Sequence, residues 1–254
     1  MIYLIAIVGA FLAGCINTLS GNGSAITLTI LMELLGLPPD VANGTNRVGV
    51  VGNAGAAVMG FKKGGRYDQS AEKTRAMWRI VTVVSLGALL GIYLSLIISN
   101  AAFKQVFRYL LIVMLVVILV KPKRWLVVPE HTASLSPWVS VPLFFALGVY
   151  GGFIQMGMGV FFLALMVLVA RYEIIQANTV KGLAVFLYTV AAVGIFAWRG
   201  LIDWQLGLLM ASGQIAGGYL TAKYASTWPE AGIWTYRLLI VVVIGAIIKA
   251  FWPV

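Results

Sequence analysis

Asn17-Thr18-Leu19-Ser20-Gly21-Asn22-Gly23-Ser24 interrupts an apolar run near the start of the chain, and Gln155-Met156-Gly157-Met158-Gly159 interrupts another in the second half. Each stretch follows a long apolar segment. Each precedes one of about 13 residues, which at 1.5 Å per residue spans roughly 20 Å and falls short of a hydrocarbon core roughly 30 Å thick. We therefore read two short, broken or re-entrant helix hairpins with glycine tips. At membrane depth, non-helical backbone is tolerated only where protein buries it or a wet cavity meets it.

The remainder of the chain fits a membrane setting. Of 254 residues, 61% are hydrophobic and 10% charged, where a soluble domain carries about 25% charged residues, and mean hydropathy is +0.97. Apolar runs and their breakers predict helices over about 2–20, 24–36, 39–60, 77–99, 105–121, 138–156, 160–172, 176–198, 204–223 and 233–252. Little chain is left for an aqueous domain. The eight tryptophans fall mostly near segment ends, as in an interfacial belt.

The net charge of +10 does not point to nucleic acid, because the Lys and Arg residues sit at the ends of apolar segments rather than along one amphipathic face. They report topology instead. Lys62, Lys63, Arg66, Lys73 and Arg75 follow the third segment, and Lys121, Lys123 and Arg124 occupy the centre. Cytoplasmic loops are enriched in such residues, so both loops are expected inside and both termini on the periplasmic side. Met1 runs directly into Ile2-Tyr3-Leu4, so no removable signal peptide is expected. A lone Cys15 excludes an intramolecular disulfide, and a single histidine, His131, sits in the central loop beside Glu130. No catalytic residues, metal site or cofactor are expected.

The two halves match in order. Gly21-Asn22-Gly23 corresponds to Gly157-Met158-Gly159, Ala42-Asn43 to Ala177-Asn178, and Gly65 and Asp68 to Gly200 and Asp203. Gly87, Gly91, Tyr93 and Leu94 correspond to Gly213, Gly217, Tyr219 and Leu220, and Phe107-Arg108 to Tyr236-Arg237. By the charge rule the loop at Gly65 lies inside and its counterpart at Gly200 outside, so the repeats are inverted. The expected fold is an all-α integral membrane protein of two inverted-topology repeats of about five helical segments each. Residues 1–124 form the first repeat, 125–137 a cytoplasmic linker and 138–254 the second, within one transmembrane domain. Inverted repeats recur in secondary transporters, where the ligand lies near mid-membrane between discontinuous helices.

At each tip a new helix would begin, directing free N–H groups toward an anion. Gly21, Gly23, Gly157 and Gly159 let backbone approach closely, and Asn17, Ser20, Asn22, Ser24 and Gln155 offer neutral donors. Met158 stands between the second pair of glycines. The third segments add Asn43, Thr45, Asn46 and Arg47 in one half and Asn178, Thr179 and Lys181 in the other. Counted from Pro39 and Gln176, Arg47 lies roughly 12 Å into its helix and Lys181 roughly 8 Å. Charged groups at such depth normally face a cavity or a partner, although Lys181 could also snorkel to the interface. Glu33 could pair with Arg47 or take up a proton. The glycines could instead serve close helix packing, as small residues do in membrane bundles.

At these residues, with Leu35-Gly36-Leu37-Pro38 and the stretch Ala42 to Thr45, the chain resembles the TauE/SafE family of sulfite exporters over nearly its whole length. The resemblance implies an inner-membrane permease for sulfite, sulfoacetate or related organosulfur anions, coupled to an ion gradient. Family members commonly carry three or more consecutive glycines at the tip, where this chain has Gly21-Asn22-Gly23-Ser24 and Gly157-Met158-Gly159-Val160. Asn22 and Met158 are therefore expected to shape the pocket. A carrier working by alternating access should saturate and show counterflow, an anion channel should pass current far faster, and a membrane enzyme is not expected because no buried His, Cys or carboxylate cluster is visible in the sequence. The expected partners are a small anion and the lipid bilayer, without nucleic acid; small-residue faces such as Gly213 to Gly217 permit close helix contact either within the chain or between two copies in a homodimer.

Overall fold

The computed structural model describes residues 2–19, 21–63, 71–119, 136–170, 172, 174–225 and, further on, 237, 240, 241, 244, 245, 247, 248 and 251. Among these residues regular structure is helical throughout. In chain order the helices are α1 (Ile2–Leu19), α2 (Gly23–Thr29), α3 (Pro39–Lys63), α4 (Ala71–Ile97), α5 (Asn100–Leu119), α6 (Pro137–Phe153), α7 (Met158–Leu163), α8 (Ile174–Trp198) and α9 (Trp204–Ala225). The described residues from 237 onward are also helical, within the segment predicted at 233–252. The tip residue Ser20, the loop with Gly65 and Asp68, His131 and nearly all of the linker predicted at 125–137 lie outside the described residues.

α1, most of α4 (Thr74–Ile97) and most of α8 (Gln176–Trp198) are long and apolar enough to cross a membrane. α3 is as long as α8 but carries its polar residues inward: Asn43, Thr45, Asn46, Arg47 and Asn53 are all buried. Its neighbours shield it from lipid, so its own apolarity need not be high. The outer helices do the opposite, exposing Leu4, Val8 and Leu12 on α1 and Leu86, Leu90 and Tyr93 on α4. Such apolar outer faces suit a lipid solvent.

Several boundaries differ from the predicted ones. α5 starts at Asn100 rather than 105, because the Ser99 hydroxyl accepts from the Ala102 amide at 3.3 Å and its carbonyl from the Phe103 amide at 2.9 Å. The Ser99 cap recruits Asn100 to Lys104 before the apolar run begins. α4 starts at Ala71 rather than 77, a polar extension that hydropathy counts as loop. The short helices occupy 23–34 and 158–169, and each finishes as a π-helix, over Ile30–Leu34 and Ala164–Val169. Both π-turns close alike: Leu35 donates to the Ile30 carbonyl and Leu37 to that of Leu31, as Ala170 does to Leu165 and Tyr172 to Met166, all at 2.9 Å.

Packing between the halves also comes in pairs. α4 packs on α6 and α8, while α9 packs on α1 and α3. A side chain at Gly87 or Gly91 would strike the carbonyls of Phe145 and Val149 on α6; one at Gly213 or Gly217 would meet those of Ile7 and Phe11 on α1. Small residues thus bring backbones together in the manner of membrane bundles. The two hairpin tips meet between these layers.

Candidate functional site

The tips touch through glycine. The Gly159 amide donates to the Gly21 carbonyl at 3.2 Å, and a Cβ on either residue would overlap the other's backbone. Gly21 also holds φ +77°, the left-handed region that glycine enters without a steric penalty. In the second tip Gly157 takes φ 70°, and Gln155 holds φ 62° despite its side chain. A non-glycine residue in that region costs free energy and recurs at functional sites.

Two buried cations flank the tips. Arg47 is fully buried. Its Nη1 donates to the Gly151 carbonyl at 3.1 Å and to Gln155 Oε1 at 2.7 Å, while Nη2 donates to the Gly152 carbonyl at 2.6 Å and Asn43 Oδ1 at 3.3 Å. Its Nε has no partner, and the Phe196 ring lies 5.9 Å from the guanidinium carbon. Lys181, buried rather than snorkelling, donates to the Asn17 and Thr18 carbonyls at 3.1 Å each and to Asn178 Oδ1 at 2.6 Å.

The arrangement is reciprocal. A cation on α3 holds the last carbonyls of α6, and a cation on α8 holds the last carbonyls of α1. Helix C-termini present unsatisfied carbonyls and the negative end of the dipole, so each cation is well placed. Carbonyl dipoles nevertheless leave the formal charge uncancelled. Among the described residues no carboxylate pairs with either cation; Glu33 pairs with Lys104 on α5 at 3.0 Å and not with Arg47. Burying uncompensated charge is costly, and an anion would relieve that cost.

A narrow cavity lies against the tip contact, lined there by Asn17, Thr18, Gly21, Gln155, Met158 and Gly159. It extends along Asn53, Ala54, Ala57 and Phe61 of α3 and Asn178, Lys181, Val185 and Tyr188 of α8. Its void admits roughly one or two waters, so a larger ligand requires the walls to part. Gln155 connects this space to Arg47: its Oε1 accepts from the guanidinium and its Nε2 donates to Thr189 Oγ1 at 3.2 Å.

Other residues singled out in the sequence sit around this centre. Asn43 Nδ2 donates to the Phe153 carbonyl at 3.1 Å. Asn46 Oδ1 accepts from Thr27, while Asn46 Nδ2, the Asn22 amide and the Ser24 hydroxyl are buried without partners. Thr45 Oγ1 accepts from the Asp203 amide at 2.9 Å, beside the start of α9. Gly23 packs against the Ala13 carbonyl, and Thr179 is buried on α8. Met158 lines the cavity, as Asn22 does not.

Asn53 was not evident from sequence. Its Nδ2 donates to the Gly14 and Gln214 carbonyls at 3.1 and 2.9 Å, and its Oδ1 accepts from Asn17 at 2.9 Å, tying α3 to α1 and α9. A lone amide far along a helix rich in glycine and valine was its only signal.

A family model described as "Sulfite exporter TauE/SafE" matches residues 6–250. This chain belongs to the TauE/SafE family. A Sinorhizobium protein named "Probable membrane transporter protein ORF9" is 28% identical over 86% of this chain and 81% of its own length. A Haemophilus influenzae "Probable membrane transporter protein" is 29% identical over 85% and 82%. A Xylella fastidiosa protein of the same name is 23% identical over 96% and 92%. No solved structure gives a significant match. Membership of the TauE/SafE family and these relatives identify a membrane transporter rather than an enzyme.

Proposed function

We propose that the protein is a secondary carrier of small sulfur-containing anions, such as sulfite, sulfoacetate or other organosulfonates, that exports them across a bacterial inner membrane by alternating access. The observation that carries this reading is the pair of buried, carboxylate-free cations, Arg47 and Lys181, on either side of the glycine tips. An anion entering between them would supply the missing countercharge, with Asn178 and Gln155 as neutral neighbours.

In this reading the halves are inverted repeats. Support comes from the matched π-turns, the matched glycine contacts of α4 on α6 and α9 on α1, and the reciprocal capping of helix ends. With the basic loops inside and the termini periplasmic, the cavity extends toward the cytoplasmic end of α3, while Arg47 is enclosed by Gly151, Gly152, Gln155 and Phe196. A space on one side of the tip contact, with closure on the other, favours a carrier over a channel.

Counterflow tests this. Proteoliposomes preloaded with unlabelled sulfoacetate or sulfite should accumulate the labelled anion transiently against its gradient, saturably and without large currents. A conductance that does not saturate would instead indicate a channel, and no movement of any such anion would remove the substrate class.

A further inference from the structure

We infer that the Tyr188 hydroxyl donates a hydrogen bond to the transported anion. This assignment rests on the carrier reading above and adds to the site a side chain that neither the tips nor the two cations supply. Tyr188 is 1% exposed and lines the cavity, and its O–H donates to no acceptor in good hydrogen-bond geometry, the polar side chain beside it being Thr189. The adjacent Thr189 hydroxyl is engaged by Gln155 Nε2. Buried tyrosine hydroxyls normally find a partner, and one left without carries an uncompensated desolvation cost.

Lys181 and Tyr188 stand two turns apart on one face of α8, roughly 10 Å along its axis. A Cβ added at Gly151 would lie 3.1 Å from the Tyr188 hydroxyl, and the Gly151 carbonyl is itself an acceptor for Arg47 Nη1. The hydroxyl therefore stands at the partition between the cavity that contains Lys181 and the enclosed Arg47. An anion leaving one cation for the other would pass it. Sulfonate and deprotonated sulfite oxygens only accept hydrogen bonds, so a spare O–H donor matches them.

Other buried polar atoms also lack partners, among them the Ser24 hydroxyl and Asn46 Nδ2, but Tyr188 differs from them in lining the cavity, and from two related groups in leaving its donor unused. Tyr150, close to the same tip, donates its hydroxyl to the Met156 carbonyl. Tyr188 follows Asn178 at the spacing by which Asn53 follows Asn43, and Asn53 devotes its amide to α1 and α9. Both corresponding positions line the cavity; Asn53 spends its amide tying helices together, whereas Tyr188 leaves its donor unused.

Tyr188→Phe removes only the oxygen and tests the assignment in the full-length protein. Without anion, the variant should melt at or above the native temperature, since an unpaired polar group is lost. In proteoliposomes its half-saturating concentration for sulfoacetate or sulfite should rise tenfold or more, the scale of a lost hydrogen bond to a charged group. Tyr150→Phe, which breaks a bond already made, should instead lower the melting temperature and leave half-saturation near native. Native half-saturation in Tyr188→Phe overturns the assignment, as does a melting loss like that of Tyr150→Phe without a change in half-saturation. If Lys181→Met abolishes uptake while Tyr188→Phe transports normally, the Tyr188 role alone falls. If the native protein carries neither anion, or Lys181→Met transports as native, the carrier reading falls and the Tyr188 role with it.

Discussion

Alanine at Gly21 should destabilise the protein through two separable effects. The residue holds φ +77°, a conformation that costs an L side chain about 1–2 kcal/mol, and its Cβ would overlap the Gly159 backbone, where overpacking costs about 1–3 kcal/mol. The sum is about 2–5 kcal/mol. Each kcal/mol moves the melting temperature of a soluble domain of 150–250 residues by roughly 2–4 °C, so a fall on the order of 10 °C is expected. Three other glycines separate the contributions. Gly159→Ala meets the same contact without a positive φ, Gly36→Ala has φ +71° with nothing near its Cβ, and Gly194→Ala has neither feature. Thermal unfolding of the purified variants should therefore rank Gly21 worst, Gly159 and Gly36 intermediate, and Gly194 neutral or slightly stabilised through helix propensity. If Gly21→Ala loses no more than Gly36→Ala, and Gly159→Ala loses nothing, the tips do not touch and the reasoning about them is wrong.

Thr45→Val removes the acceptor of the Asp203 amide and should lower stability by about 1–2 kcal/mol while substrate affinity stays native; melting and uptake measured together check this. Asn53→Leu removes the amide donated to the Gly14 and Gln214 carbonyls, of which Gly14 keeps the Thr18 hydroxyl, and takes away the acceptor of the Asn17 amide, for an expected loss of about 1–3 kcal/mol in thermal or denaturant unfolding. Glu33→Gln breaks a partly exposed ion pair with Lys104, worth about 0–1 kcal/mol, and should leave half-saturation for sulfoacetate unchanged.

The membrane class, the segment order and the paired glycine tips were legible in the sequence because apolarity, helix length and glycine each carry a local signal. Arg47 and Lys181 stood out for the same reason, since charge deep within an apolar segment demands an explanation. What they touch was not legible. The Gly151, Gly152, Asn17 and Thr18 carbonyls are backbone groups that any residue supplies, and only the tertiary fold brings a cation to them. The π-turns at Ile30–Leu34 and Ala164–Val169 were equally silent, because ILMEL and ALMVLV read as ordinary helix. Tyr188 reads as one more aromatic in an apolar helix, and only the tertiary fold sets its hydroxyl beside a cavity with its donor unused.

Equilibrium binding of sulfoacetate and sulfite to the purified protein, comparing the native chain with Arg47→Gln and Lys181→Gln, tests the role of the buried cations most directly. Saturable binding to the native protein, weakened at least tenfold in each variant that still folds, is the predicted result. Native protein that binds neither anion, or two variants that bind as tightly as native, would contradict it.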